Sequence, residues 1–184
     1  MSSTQPSRPD KARVFFALWP ESGVQSSLHR HAGELHRQLG GKLTRQESIH
    51  LTLVFLGDVA LDRLDEARAA GARAGFEPFN LNIETAGCWT HNRIAWLAPL
   101  ATPAPLLALV NGLEAALNQA GFNFDVRPYA PHITVLRKAR CRSMDATLTP
   151  VEWRVQDFVL VRSALDSAGS RYRIIGRWPE SDLP

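Results

Sequence analysis

The segments IHLTLVFL at residues 49–56 and HITVLR at residues 132–137 are the most informative about the fold, because one pattern occurs in both halves of the chain. In each segment a histidine is followed by an apolar residue, a threonine and another apolar residue. Alternate side chains of a strand point to opposite faces, so His50 and Thr52 share one face and His132 and Thr134 share the equivalent face. Each segment therefore predicts a strand with an apolar face for a core and a His/Thr pair on the other side.

The elements around the two motifs come in the same order, which predicts a duplicated unit. The first unit is predicted to begin with a strand from Arg13 to Leu18 and a helix from Ser22 to Leu39, which Gly40-Gly41 ends. The motif strand follows from Ile49 to Leu56 and ends at Gly57. A helix capped by Asp58 then runs to about Ala74, and a strand from Phe79 to Ala86 completes the unit. The second unit is predicted as a strand from Arg93 to Leu97, a helix opened by Pro103 and Pro105 and ended by Gly121, the motif strand, and a strand from Val155 to Arg162. The first strands are offset by 80 residues and the histidines by 82 residues.

This repeat predicts an α+β protein of two lobes related by a pseudo-two-fold axis. Mostly antiparallel sheets would line a central cleft, with the helices outside. Residues 83–97 and 159–178 are each expected to form a hairpin. A single bilobal domain is expected over residues 13–180, after a loose polar tail over residues 1–12.

Composition fits an ordinary soluble globular domain, with 184 residues of which 45% are hydrophobic and 21% charged. Neither a signal peptide core nor the roughly 18 apolar residues of a membrane span is present. The two cysteines, Cys88 and Cys141, form no CxxC pair. A disulfide between them is open, but a reducing, cytoplasmic location fits this cysteine usage better.

The positive charge is concentrated late in the chain. Residues 127–177 carry 10 Lys or Arg against 4 Asp or Glu, with a cluster at residues 137–142. Such a patch favours an anionic partner such as RNA, and a solvated charged face is the alternative. No GxGxxG, GxxxxGK[ST], GxSxG or HExxH motif is present, so the corresponding nucleotide-binding, serine hydrolase and zinc protease classes lack support.

Two histidines facing each other across a cleft suit the opening of a cyclic phosphodiester by water. The reaction needs a base for the water and an acid for the departing ribose oxygen, on opposite sides of phosphorus. Histidine exists in both protonation states near neutral pH, so His50 and His132 can fill both roles. The hydroxyls of Thr52 and Thr134 can hydrogen-bond the phosphate oxygens. We expect no metal and no cofactor.

Several segments together resemble the bacterial and archaeal RNA 2′,3′-cyclic phosphodiesterases, also called 2′-5′ RNA ligases, of the two-histidine phosphoesterase superfamily. The two HxTx motifs carry the resemblance, together with RVFFAL at residues 13–18, TLVFLG at residues 52–57 and YAPHITVLR at residues 129–137. Similarity continues through the C-terminal hairpin, so it covers roughly residues 12–180. The family implies an RNA 2′,3′-cyclic phosphate as substrate, a 2′-phosphate as product, and reverse 2′-5′ ligation.

The resemblance also implies roles for individual residues. His50 would be the proton donor and His132 the proton acceptor, an assignment that the two symmetric motifs do not decide. Arg137 would contact phosphate, although strict alternation places it on the opposite face from His132. Either the strand has ended or bulged by Arg137, or the long side chain curls back; a surface arginine is the alternative.

Three aromatic residues near the motif strands, Trp19, Phe55 and Tyr129, are candidates for stacking a nucleobase, with core or rim packing as the alternative. The expected partners are RNA ends with a cyclic phosphate, including tRNA fragments, or nucleotides. The protein is expected to be a monomer and to have no membrane as a partner. Two other functions stay open. One is a phosphoesterase for another small cyclic nucleotide or an ADP-ribose-type phosphate, and the other is a nucleotide- or RNA-binding module without turnover.

Overall fold

The computed structural model describes residues 10–125, 127–141, 144–166 and 169–179. Three helices are present in this part of the chain: α1 Ser22–Leu39, α2 Leu64–Arg73 and α3 Ala104–Gln119. The strands are β1 Lys11–Leu18, β2 Lys42–Leu43, β3 Leu51–Ala60, β4 Phe79–Trp89, β5 Ile94–Ala98, β6 Ile133–Arg137, β7 Asp145–Val155, β8 Phe158–Asp166 and β9 Gly169–Trp178. Two short 3₁₀ turns, Gln46–Ser48 and Leu61–Arg63, precede β3 and α2.

The strands form two antiparallel sheets that repeat one arrangement. One sheet has the order β3-β1-β8-β9 and the other the order β2-β6-β5-β4-β7. Within each, the motif strand lies beside the first strand of its own unit, as β3 beside β1 and β6 beside β5. The last predicted strand of each unit lies in the sheet of the other unit. Strand β4 pairs with β5 in the sheet of the second motif, and β8 pairs with β1 in the sheet of the first. The predicted α+β fold with a duplicated unit is confirmed, as are the β4–β5 and β8–β9 hairpins.

The main core lies between the sheets and the helices. Helix α1 packs on β6 and β7, whereas α2 and α3 pack on each other and reach β9 and β3. Strand β1 contributes Val14, Phe16 and Leu18 to this core. Its alternate residues, Phe15 and Ala17, join a second, smaller cluster on the opposite face of the sheet. The described helices include none with the length and apolar character needed to cross a bilayer.

Helix α1 runs from Ser22 to Leu39 as predicted, and Gly40 ends it with a φ of 60°, which favours glycine. Prolines also open α3 as predicted, since Pro103 is its N-cap and Gly121 follows its end with a φ of 69°. Gly112 lies inside α3 where a Cβ would clash with the carbonyl oxygen of Ala74. The glycine therefore allows α3 to pack closely on the end of α2.

The predicted end of the first motif strand is wrong. Strand β3 continues to Ala60, and Asp58 pairs with Arg13 in β1 instead of capping a helix. Gly57, with a φ of 69°, lies next to an irregularity where Val14 pairs with Gly57 and Phe15 with Phe55. A glycine in this conformation bends a strand without ending it.

The predicted strand from Val155 to Arg162 is also wrong. Val155 ends β7 in one sheet, and Phe158 begins β8 in the other. Two strands, β2 and β7, were not predicted at all. At the N-terminus β1 begins at Lys11 and Ala12 is buried, so these two residues do not belong to the predicted tail. Residues 1–9 of that tail lie outside the described residues.

Cys88 and Cys141 form a disulfide, which is the possibility that the sequence left open. Cys88 lies near the end of β4 and Cys141 follows β6, with their Cα atoms 5.5 Å apart. This distance is typical of bridged cysteines. The bond therefore ties the β4–β5 hairpin to the chain that follows the second motif.

Candidate active site

Both motif histidines immediately precede a strand, and their rings are held in the same way. Nδ1 of His50 lies 2.7 Å from the carbonyl oxygen of Ser48, and Nδ1 of His132 lies 2.8 Å from that of Ala130. A carbonyl oxygen accepts but does not donate, so Nδ1 carries a proton in each ring. In both histidines this leaves Nε2 as the nitrogen that can exchange a proton with a substrate.

The two motifs are brought together across the molecule. Strands β3 and β6 contact each other, and the hydroxyl of Tyr129 donates a hydrogen bond of 3.1 Å to the carbonyl oxygen of Thr52. His132 and Arg137 are close enough to His50 for their charges to lower its pKa. The two histidines and the arginine therefore lie in one electrostatically coupled site.

A bulge at the same place in each motif strand decides which side chains face this site. Leu53 has no partner in β1, since Phe16 pairs with Val54 and Ala17 with Thr52. After the bulge Phe55 returns to the face of Thr52 and His50, opposite Phe15. It is an exposed aromatic on this face, with 45% of its surface accessible.

Strand β6 has the equivalent bulge at Val135, because Ala95 pairs with Leu136 and Trp96 with Thr134. Val135 and Leu136 are both buried, so the exposed Arg137 lies on the side of Thr134 and His132. Of the explanations that the sequence left open for Arg137, the bulge is the one that the structure shows.

The backbone around Arg137 is held by several hydrogen bonds. Arg137 pairs with Lys42 in β2 and Ile94 in β5. Beyond it, the guanidinium of Arg93 donates to the carbonyl oxygens of Lys138 and Ala139, each at 3.3 Å. These contacts fix the strand end that carries the arginine.

Aromatic rings surround His50. The ring of Trp19 is parallel to the imidazole within 2° at a centroid distance of 5.1 Å. Phe15 stacks on it at 5.0 Å, and Tyr172 meets it edge-on at 5.2 Å. His132 has a different neighbour, the ring of Trp89, which meets it edge-on at 4.6 Å.

These surroundings lower the pKa of both imidazoles. The pKa of His50 is lowered to about 4, mainly by burial. The hydrogen bond to the carbonyl oxygen of Ser48 raises this pKa, and the charges of Arg137 and His132 lower it further. Burial also lowers the pKa of His132, with Arg137 adding to the effect. In the substrate-free protein both histidines are therefore neutral at pH 7.

The three predicted base-stacking residues have different positions. Trp19 lies against His50, and Tyr129 packs on the main core with its hydroxyl bonded to Thr52. Burial raises the pKa of the Tyr129 hydroxyl. Phe55 is the exposed one, and the guanidinium carbon of Arg13 lies 5.6 Å from its ring centre.

Sequence reasoning missed three neighbours of the histidines, namely Phe15, Tyr172 and Trp89. The alternation in β1 could have revealed Phe15, because Phe15, Ala17 and Trp19 follow one face of that strand. Tyr172 and Trp89 lie on strands far away in the sequence. No local pattern connects either of them to its histidine.

A cavity of about 570 Å³ lies elsewhere, between α1 and β7. Its lining includes Arg30, His31, Glu34 and Glu152 but neither motif histidine. The two motif histidines therefore lie outside this cavity, and the candidate active site is the face that carries the two motifs.

Comparison with known proteins gives consistent matches over most of the chain. The family model of the 2'-5' RNA ligase superfamily matches residues 24–167. A relative from Escherichia coli K12, named RNA 2',3'-cyclic phosphodiesterase, is 30% identical over 171 residues, which cover 90% of this chain and 95% of the relative. A relative of the same name from Thermus thermophilus is 30% identical over 177 residues, covering 90% of this chain and 89% of the relative.

The fold has a counterpart among solved structures. The crystal structure of Escherichia coli LigT complexed with 3'-AMP superposes with a TM-score of 0.80 and 28% sequence identity. The superposition covers 92% of this chain and 98% of that chain. Its extent confirms the fold that the repeated motifs predict.

Proposed function

The chain belongs to the 2'-5' RNA ligase superfamily, and on this premise we propose that it hydrolyses the 2′,3′-cyclic phosphate ends of RNA to 2′-phosphomonoesters. The matched pair of histidines carries the proposal. Each ring is held at Nδ1 by the carbonyl oxygen two residues earlier, and the charge of protonated His132 lowers the pKa of His50. Relatives from two bacteria carry the name of this activity.

In the proposed reaction, Nε2 of His132 takes a proton from water as the water oxygen attacks phosphorus. The bond from phosphorus to the 3′ oxygen breaks on the opposite side, and protonated Nε2 of His50 gives its proton to that oxygen. The product keeps the phosphate on the 2′ oxygen. Attack and departure are roughly in line, so the acid and the base belong on opposite sides of phosphorus.

The donor role requires His50 to gain a proton when substrate binds. Its pKa of about 4 in the substrate-free protein reflects burial and the nearby charge of Arg137. A bound cyclic phosphate brings a negative charge into this site, which favours the protonated imidazole. The substrate itself therefore helps to generate the acid that the reaction needs.

Arg137 and the two threonines are proposed to bind the phosphate. Arg137 is exposed on the side of His132 and Thr134 because of the bulge at Val135. A guanidinium can donate two parallel hydrogen bonds to phosphate oxygens and offset their charge. The hydroxyls of Thr52 and Thr134 would donate to the same group as negative charge builds up on it.

Phe55 is proposed as the platform for the base of the terminal nucleotide. It is an exposed aromatic ring on the face of His50 and Thr52. Stacking on such a ring tolerates any base. RNA ends of different sequence, including tRNA fragments, would then be bound by one monomeric protein.

The proposed reaction needs no metal, and its reverse joins RNA ends through a 2′-5′ linkage. Protonation of the leaving oxygen and the strain of the five-membered ring supply what a metal would otherwise supply. In reverse, the base takes a proton from an incoming hydroxyl instead of water. Hydrolysis in excess EDTA and ligation of RNA ends at high concentration test these two statements.

We also propose a cytoplasmic location. A reducing cytoplasm would convert the Cys88–Cys141 disulfide of the structure into a pair of thiols. Alkylation of free thiols in acid-quenched cells, followed by mass spectrometry of the two cysteines, tests this. Recovery of the pair mainly as a disulfide would contradict a reducing location.

A comparison of substrates tests the proposed function. The protein is incubated in EDTA with an oligoribonucleotide ending in a 2′,3′-cyclic phosphate, with mononucleoside cyclic phosphates and with an ADP-ribose cyclic phosphate. We expect the oligoribonucleotide to have the highest kcat/KM and to yield a 2′-phosphate. A preference for one of the small molecules would assign a different phosphoesterase activity, and tight RNA binding without turnover would indicate a binding module.

A further inference from the structure

The indole of Trp19 lies flat on the imidazole of His50. Trp19 directly follows β1, and the register pairs Leu18 with Leu51. Trp19 and His50 are the residues just beyond this last pair, one after the end of β1 and the other before the start of β3. They therefore lie side by side, as the next pair of the two antiparallel strands would. Their rings are parallel within 2° at a centroid distance of 5.1 Å.

His50 needs such a contact because its backbone lies outside the hydrogen-bonded ladder. Strand β3 begins only at Leu51, whose pairing with Leu18 is the last between the two strands. The hydrogen bond from Nδ1 to Ser48 fixes one atom of the ring. A single hydrogen bond still allows the ring to swing about that atom, whereas a flat contact restricts its plane.

The same contact helps to keep water from the ring. Phe15 and Tyr172 add two further ring contacts to His50, at 5.0 and 5.2 Å. Trp19 is itself braced by the edge of Tyr172 at 5.8 Å. The described residues place only an edge-on ring, Trp89, next to the second histidine, His132.

We propose that Trp19 is a positioning residue for His50, which holds the plane of the imidazole and shields the ring from water so that Nε2 is aimed at the scissile phosphate. The inference rests on the proposed function in so far as His50 takes part in the reaction. It assigns Trp19 to the histidine and not to a nucleobase. One face of the indole is occupied by His50 in the substrate-free protein.

The groups that face His50 determine how loss of the Trp19 indole would change the pKa of its imidazole. Phe15 and Tyr172 pack against the ring, and the charges that act on it come from Arg137 and His132 across the site. Both charges disfavour protonation, as does burial. Entry of water in place of the indole would weaken the largest of these effects, so the imidazole would take up a proton at higher pH.

The first test is an NMR titration of the His50 ring proton Hε1 in the substrate-free protein. Trp19→Ala is expected to shift the titration midpoint upward by about one pH unit or more, toward the ordinary value for histidine. Trp19→Leu keeps apolar bulk without a flat ring and is expected to give an intermediate shift. Trp19→Phe keeps a flat ring and should remain near the wild type. Leu107→Ala, which removes an exposed apolar side chain from α3, serves as the control.

The second test separates positioning from base stacking by kinetics. Trp19→Ala is expected to lower kcat about tenfold or more, because a misplaced catalytic group costs rate, with a smaller change in KM and rescue by Trp19→Phe. An unchanged His50 titration in Trp19→Ala would overturn the inference, as would a rise in KM alone. If Trp19→Ala does not fold, the Leu and Phe variants decide the question. A shifted titration in a protein without activity on RNA ends would contradict the proposed function but support the role of Trp19.

Discussion

Phe55 in β3 occupies the position that Arg137 occupies in β6. Each is the fifth residue after its motif histidine, and each returns to the face of that histidine because of a bulge at the third residue. The duplicated unit thus carries an exposed aromatic ring in one lobe and a guanidinium in the other. Under the proposed function, this difference would give the site one end for a base and one end for a phosphate.

Replacing Arg137 by Gln is expected to lower kcat/KM for cyclic-phosphate RNA about 100-fold, because one charged donor to the phosphate is lost. Arg137→Lys should recover part of the loss, since an ammonium keeps the charge but not the paired donors. Arg154→Gln, at an exposed position of β7, is the matched control. Steady-state kinetics check this, and a loss of similar size in the control would remove the specific role.

Replacing Phe55 by Ala is expected to raise KM about tenfold with little change in kcat. Stacking of one base on an aromatic ring contributes about 1–3 kcal/mol. Leu107→Ala is the control, because Leu107 is 43% exposed and Phe55 45%. KM values for oligoribonucleotides with each of the four terminal bases measure the effect, and an unchanged KM for all four would exclude Phe55 as the platform.

The pH dependence of kcat/KM follows from the lowered pKa values of the two histidines. The active form has one protonated and one neutral imidazole, so activity is lost below the lower apparent pKa and above the higher one. One pKa is about 4 and the other lies below the ordinary 6.5. The optimum of kcat/KM should therefore lie on the acid side of 6.5, and kcat/KM should fall as pH rises through neutrality.

The kcat profile provides the internal comparison for this prediction. Bound phosphate raises both pKa values, so the optimum of kcat should lie at higher pH than that of kcat/KM. A kcat/KM that rises between pH 6.5 and 8 would contradict the electrostatic description of the site.

The Cys88–Cys141 disulfide is expected to stabilise the folded protein by about 3–4 kcal/mol, because it closes a long loop in the unfolded chain. The two cysteines are 53 residues apart in sequence. Denaturant unfolding with and without a reductant measures the difference. Cys88→Ser should match the reduced wild type and should not respond to reductant, whereas equal midpoints for oxidised and reduced protein would exclude a stabilising bond.

The two His/Thr pairs of the candidate site could be predicted because each pair lies within one short segment of sequence. A histidine and a threonine two residues apart in an extended chain share a face by alternation, and the repeat placed His50 and His132 in equivalent positions. The bounds of helix α1 could also be predicted, because the periodic pattern of apolar residues ends at Gly40 and Gly41.

Features that depend on pairing between distant strands could not be predicted. The bulges at Leu53 and Val135 are defined by the register with neighbouring strands, so the direction of Arg137 stayed open. Strand β7 contains Pro150, which argues against a central strand. The structure accommodates it because β7 is an edge strand.

The partnership of Trp19 with His50 was missed for a different reason. An aromatic residue next to a motif strand suggests base stacking when the sequence is considered alone. The contact of its ring with the histidine becomes visible only in the register of β1 with β3.

Single-turnover rates of the wild type, His50→Ala, His132→Ala and the double variant decide whether His50 and His132 act in the same chemical step. With RNA bound at saturation and EDTA present, each single variant should lose about 10²–10⁴-fold in rate. The double variant should lose little more, because residues that act as a unit are not additive. His29→Ala, on α1, should keep the wild-type rate. A single variant that retains more than about a tenth of the wild-type rate would contradict the two-histidine mechanism.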